Sequence, residues 1–188
     1  MALDSAGAAA AGEFIRAAGP THPSLIDAHY EIARAYNIVN VPTAIWIDEE
    51  GRIVRPNEVA FVDNRWIAYT KFDMTRYLEA VRDWARRGAQ SPHVPDAKER
   101  RRRFGLPTAD HALAAATFRL AEHLHATGRP EAAVAFFKRA QALQPESWCF
   151  KRQAWALTDA EQFYGTSFQA EVTALAGRPY YTPLDLGG

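Results

Sequence analysis

Tyr36-Asn37-Ile38-Val39-Asn40-Val41-Pro42-Thr43-Ala44-Ile45-Trp46-Ile47-Asp48-Glu49-Glu50-Gly51-Arg52-Ile53-Val54-Arg55 is the stretch that decides the fold. Thr43 to Asp48 is rich in β-branched and aromatic residues and reads as a buried strand. Glu49-Glu50-Gly51 is an acidic turn in which glycine supplies a positive φ, and Arg52 to Arg55 is a return strand. The expectation is a tight antiparallel hairpin. Pro56 should end it, because proline has no N–H to donate to a ladder.

Toward the N-terminus, Asp27 is placed to cap a helix from Ala28 to Tyr36, and Ser24 to Asp27 reads as a short extended piece. Ala8 to Ala18 reads as a helix stopped by Gly19-Pro20, preceded by the short apolar stretch Ala2-Leu3-Asp4. Toward the C-terminus, 56–72 shows no period. Asp73 to Arg87 is then helical, with Tyr77, Leu78, Val81, Trp84 and Ala85 on one stripe and Gly88 at its end. Ser91-Pro92-His93-Val94-Pro95 reads as a linker. Beyond it, Asp110 to Thr127 and Pro130 to Leu143 form a helical hairpin turned at Gly128-Arg129, and Ser147 to Phe163 is a third helix. The apolar tail Tyr180 to Leu186 is irregular and expected to pack back.

Taken in order, these pieces resemble the thioredoxin-like superfamily, and within it the TlpA/ResA-like redoxins of the AhpC/TSA type. The resemblance is carried by Tyr36-Asn37-Ile38, Val41-Pro42-Thr43, Ile47-Asp48, Gly51 and Arg52-Ile53-Val54, and it covers roughly 2–88. It implies a cis Val41-Pro42 bond, and it implies that Val41, Pro42 and Thr43 bind an extended substrate peptide. It also implies that a first strand, a Cys-x-x-Cys motif and the helix after it would stand ahead of Ala2; this chain carries none of them. Met1-Ala2-Leu3-Asp4 sits where the family has a strand ending Val-Ala-Leu-Asp, so an internal valine codon read as a start is one origin for Met1; an engineered boundary is another. Without its central strand the sheet would present open edges, which invite pairing with a second copy.

Residues 114–147 resemble one tetratricopeptide (TPR) repeat, with Leu120, Ala121, Leu124, Gly128, Ala133, Phe137, Ala140 and Pro145 at its apolar, small and turn positions and Thr117 departing from it. The resemblance implies either a peptide groove or a docking module.

With 48% apolar and 23% charged residues the chain can build a core, and a formal charge of zero argues against nucleic-acid binding. The Lys98 to Arg103 run, broken by Glu99, reads as a solvated helix face. The histidines His123 and His125 are two apart and point different ways on a helix, so no metal site is expected, and no cofactor. Asp48, Glu49 and Glu50 read as solvated turn residues. No apolar run is long enough to span a bilayer and no signal peptide is evident, which makes the cytoplasm the default. Cys149, the single cysteine, cannot form an intrachain disulfide and reads as a buried thiol.

The fold class expected is therefore α/β plus all-α. An incomplete thioredoxin-like fold lacking the first strand and the Cys-x-x-Cys helix spans 1–90. A linker or capping helix spans 91–110, a TPR-like helical region 111–165 and a tail 166–188. The functional expectation is a relative of thiol-disulfide oxidoreductases with no catalytic residue in this chain. The alternative is a non-catalytic scaffold for a protein or peptide partner.

Overall fold

The computed structural model describes residues 1–70, 72–105, 107–181 and 184–186, with Tyr69 described by its backbone alone. The chain packs as two compact units: 1–39 with 107–176, and 40–106 with 177–188.

In the first unit, β1 (Ala2–Leu3) and β2 (Ile26–Asp27) pair in parallel, Ala2 opposite Ile26. A parallel pair needs a crossover, and α1 (Ala8–Ala18) lies between the two strands in sequence. After β2 the chain turns through Tyr30, whose φ of 55° is left-handed, and only then enters α2 (Glu31–Ala35). The expected helix start at Ala28 is thus three residues early. Asp27 still serves the first turn: its two carboxylate oxygens accept the N–H groups of Glu31 and Ala33, each at 2.9 Å. The late start seats Tyr30 inside, its ring 5.6 Å from Phe118 and its hydroxyl donating to Gln153 Oε1 at 2.7 Å.

The helical hairpin forms close to its expected bounds, as α6 (Ala109–Ala126) and α7 (Pro130–Leu143). Thr108 caps α6, Gly128 turns the chain at φ 77°, and Pro130 opens α7 where a missing N–H costs nothing. Ala121, Ala133 and Ala140 have no exposed surface, which is how the two helices approach closely. The third helix is shorter than expected. α8 (Trp148–Leu157) breaks at Thr158, and Asp159 caps a new helix, α9 (Ala160–Tyr164), by accepting from Gln162 N–H. α10 (Phe168–Thr173), not foreseen, places Phe168 6.2 Å from Trp148.

The second unit is built on β3 (Thr43–Ile47) and β4 (Ile53–Val59), an antiparallel pair. Pro56 does not end β4. Ala44 faces Glu58 and Trp46 faces Arg55, so an extra residue of β4 bulges between these pairs and Pro56 sits where regular pairing is interrupted. Of β3, Trp46 alone is buried, while Ile47 is 40% exposed; the sheet rests one face on its core rather than lying buried on both. α3 (Ile67–Thr70) and α4 (Thr75–Arg87) follow, then α5 (Ala97–Phe104). Trp46 stacks on Trp84 at 4.9 Å, donates its indole N–H to Tyr77 Oη at 2.9 Å, and clusters with Val54, Met74 and Ala80.

The boundaries therefore differ from those expected. Residues 1–39 go with the helices, tied by Tyr30 to Phe118 and by Cys149 N–H donating to Val39 C=O at 3.0 Å. The 91–95 stretch is no free linker. Ser91 is 4% exposed and donates to Asp83 at 2.6 Å, and His93 C=O accepts from Arg55. The region 166–188 divides too, α10 lying in the first unit and the tail in the second.

Candidate functional site

Val41, Pro42 and Thr43 stand together at the entry to β3. The Val41–Pro42 peptide is cis. Pro42 C=O accepts from Ala60 N–H at 3.4 Å, and the Thr43 hydroxyl donates to Glu58 C=O at 3.0 Å, which fixes the corner against β4. The backbone of Val41, the group expected to pair with a peptide, is engaged from within the chain. Its N–H donates to Asn40 Oδ1 at 2.9 Å, and its C=O accepts the Tyr181 hydroxyl at 3.2 Å.

Tyr181 belongs to the tail, which the sequence marked as apolar without saying where it would lie. Its ring meets Phe61 at 5.7 Å and Phe72 at 5.9 Å, both edge-on. Asn40 reads Tyr180 twice: its amide donates to Tyr180 C=O at 3.3 Å, and its Oδ1 accepts the Tyr180 hydroxyl at 3.1 Å. Further along, Leu184 and Leu186 pack on the Trp46 cluster. Asp185 between them gives its C=O to Arg55 and Arg103 and its carboxylate to Arg103 at 2.7 Å. Leu186 C=O lies 3.2 Å from His93 Nδ1, which as the donor fixes that ring's tautomer. The described residues of the tail, 180–181 and 184–186, lie in neither helix nor strand and are held at their carbonyls by side chains and at the leucines by an apolar floor. For these residues the expectation that the tail packs back is met; 182 and 183 lie outside the described residues.

Arg55 is the hub of this arrangement. Its side chain is 2% exposed, it pairs with Glu58, and its guanidinium lies 5.3 Å over Trp46. Burial pushes the Tyr77 phenol up to about 12. Sequence reasoning missed Arg55 as anything but a strand residue. An arginine facing inward beside tryptophan looks the same in one dimension as a solvated one.

Cys149 is 6% exposed, and burial pushes its thiol up to about 12. A nucleophilic cysteine needs the opposite shift. Among the described residues no three His, Cys, Asp or Glu side chains gather as metal ligands, and no helix is long and apolar enough to cross a membrane. The Lys98 to Arg103 run lies on α5, where Arg102 and then Arg103, hydrogen-bonding to Glu99, hold its carboxyl down near about 2. Compared with known proteins, the chain matches no family model, no curated protein and no solved structure.

Proposed function

We propose that this chain is a redoxin-type, thioredoxin-like protein whose contribution is the recognition of a non-helical peptide at Val41, Pro42 and Thr43, without dithiol chemistry of its own. The observation that supports it is the tail: Tyr180, Asp185 and Leu186 have their backbone carbonyls taken by Asn40, Arg55, Arg103 and His93. Carbonyls held by fixed side-chain donors give affinity that does not depend on sequence, and pockets for alternate side chains add selectivity. The presence of one cysteine supports the non-catalytic half of the reading, since thiol–disulfide exchange within a chain requires a second thiol.

The experiment is a titration of the Leu184→Ser/Leu186→Ser variant with a synthetic peptide of sequence 178–188. Amide resonances of Val41, Thr43 and Ala60 are expected to shift on binding, at least tenfold more weakly in the parent chain, whose own tail competes. Unmoved Val41 and Thr43 amides in the variant would remove the reading. Insulin reduction by the parent is expected to equal that of Cys149→Ser.

A second reading, a scaffold that holds a partner on the helical hairpin, is favoured by Leu113 and Leu120. They lie two turns apart on α6 and are 43% and 42% exposed.

A further inference from the structure

The first unit contains a cavity of about 210 Å³. Its existence follows from three small side chains, Ala33, Ala112 and Ala115, which leave room beside the stacked rings of Phe118 and Phe150, 4.4 Å apart. A cavity of about 150 Å³ lined by apolar side chains takes benzene, so this one has room for a six-membered ring and a substituent.

The polar groups on its wall are unevenly matched. Glu122 is 6% exposed, and its carboxylate accepts the Ser5 hydroxyl and lies 3.4 Å from Arg119. That charge is answered. Two other groups are not. Gln144 is 6% exposed, and its side-chain amide makes no hydrogen bond among the described residues. His111 points Nε2 at the Glu146 carboxylate, 3.1 Å away, so that nitrogen is the donor, and the buried Nδ1 has no partner. Buried polar side-chain atoms are nearly always paired. The buried His111 Nδ1 therefore marks where a polar substituent of a bound molecule is wanted, and Gln144 lines the same cavity with its amide free to join it.

The charge at the wall sets the sign of that molecule. Arg119 and Glu122 offset each other, while the exposed Arg34, on α2, forms no ion pair among the described residues. The balance is cationic.

We propose that this cavity binds a small aromatic monocarboxylate carrying a ring hydroxyl. The ring lies against Phe118 and Ala115, the hydroxyl meets Gln144 or His111, and the carboxylate meets Arg34. The probe is 4-hydroxybenzoate, followed by calorimetry and amide shifts on the full chain, with neutral 4-hydroxybenzyl alcohol as comparison. The acid is expected to bind with a Kd of about 1 mM or tighter, as the best ligand efficiencies allow for so small a molecule, shifting Ala115 and Phe118. Ala115→Leu fills the space and should weaken binding at least tenfold. Arg34→Gln changes an exposed side chain and should weaken the acid about tenfold while leaving the alcohol unchanged. Absence of shifts at Ala115 and Phe118, equal binding of acid and alcohol, or full binding by a folded Ala115→Leu variant would each overturn the proposal. Should Ala115→Leu fail to fold, the Arg34→Gln comparison decides alone.

Discussion

In the second unit the most buried charge, Arg55, spends its guanidinium on Glu58, on His93 C=O and on Asp185 C=O. In the first unit His111 Nδ1, Gln141 Nε2 and Trp155 Nε1 are buried without a partner, and these three are the buried side-chain polar atoms left so among the described residues. One unit is organised by an ionic hub that the tail helps to satisfy. The other is organised by aromatic rings: Phe118, which touches Tyr30, Phe137 and Phe150, is 1% exposed. Each unit is therefore vulnerable at a different kind of residue. Removing a hub strands its partners, whereas removing a ring leaves a hole.

Five substitutions or conditions test that contrast. Arg55→Ala leaves Glu58 and the His93 C=O uncompensated, while the Asp185 C=O keeps Arg103, and breaking a buried pair costs about 3–5 kcal/mol; urea unfolding should report that loss, with faster proteolysis in the tail. Phe118→Ala is expected to cost a similar amount, about 3–5 kcal/mol, through the cavity it opens. Hydrogen exchange distinguishes the two, with Phe118→Ala loosening amides of α6 and α7 and Arg55→Ala those of β3 and β4.

The third is a matter of pH. The Cys149 thiol is pushed by burial from an ordinary value near 9 up to about 12. A raised acid favours the folded state below the unfolded pKa and surrenders that advantage as pH rises toward the folded one. Stability should therefore hold to about pH 9 and fall above it, by up to about 2 kcal/mol at about pH 10.5 for this group. Tyr30 and Tyr77, raised for the same reason, share the slope. Cys149→Ala should remove its own part of it, as seen by urea melts at the two pH values. Fourth, Tyr181→Phe keeps the ring contacts and deletes the bond to Val41 C=O, a loss of about 1 kcal/mol that should appear as a shifted Thr43 amide. Last, Glu99→Gln on the exposed face of α5 should leave the melting temperature unchanged, since surface pairs contribute little.

What was legible in the sequence was whatever rests on neighbours along the chain. The α6–α7 hairpin and the β3–β4 turn follow from Gly128, Pro130 and Gly51, each acting on its own backbone. The delayed start of α2 was not legible, because Tyr30 turns inward to meet Phe118 and Gln153, about a hundred residues away. Nor was the continuation of β4 through Pro56, because the bulge depends on what faces it. Of the candidate site, Val41, Pro42 and Thr43 were named from their resemblance, while Asn40, Arg55, His93 and Arg103 emerged only once the tail was seen against them.

The division of the chain at 39/40, 106/107 and 176/177 has a consequence for synthesis. On the ribosome, β1, β2 and α2 emerge before the helices that bury Tyr30, which follow only after the whole of 40–106 has been made. At about 5–20 residues per second this is a wait of several seconds, during which Tyr30 has no cover from α6 and α8. The second unit, too, stays unfinished until the tail that follows the helices has been made. Neither unit is complete on the nascent chain before α10 has been translated, so a chaperone that shields 1–39 should raise the yield more than one acting on the released protein.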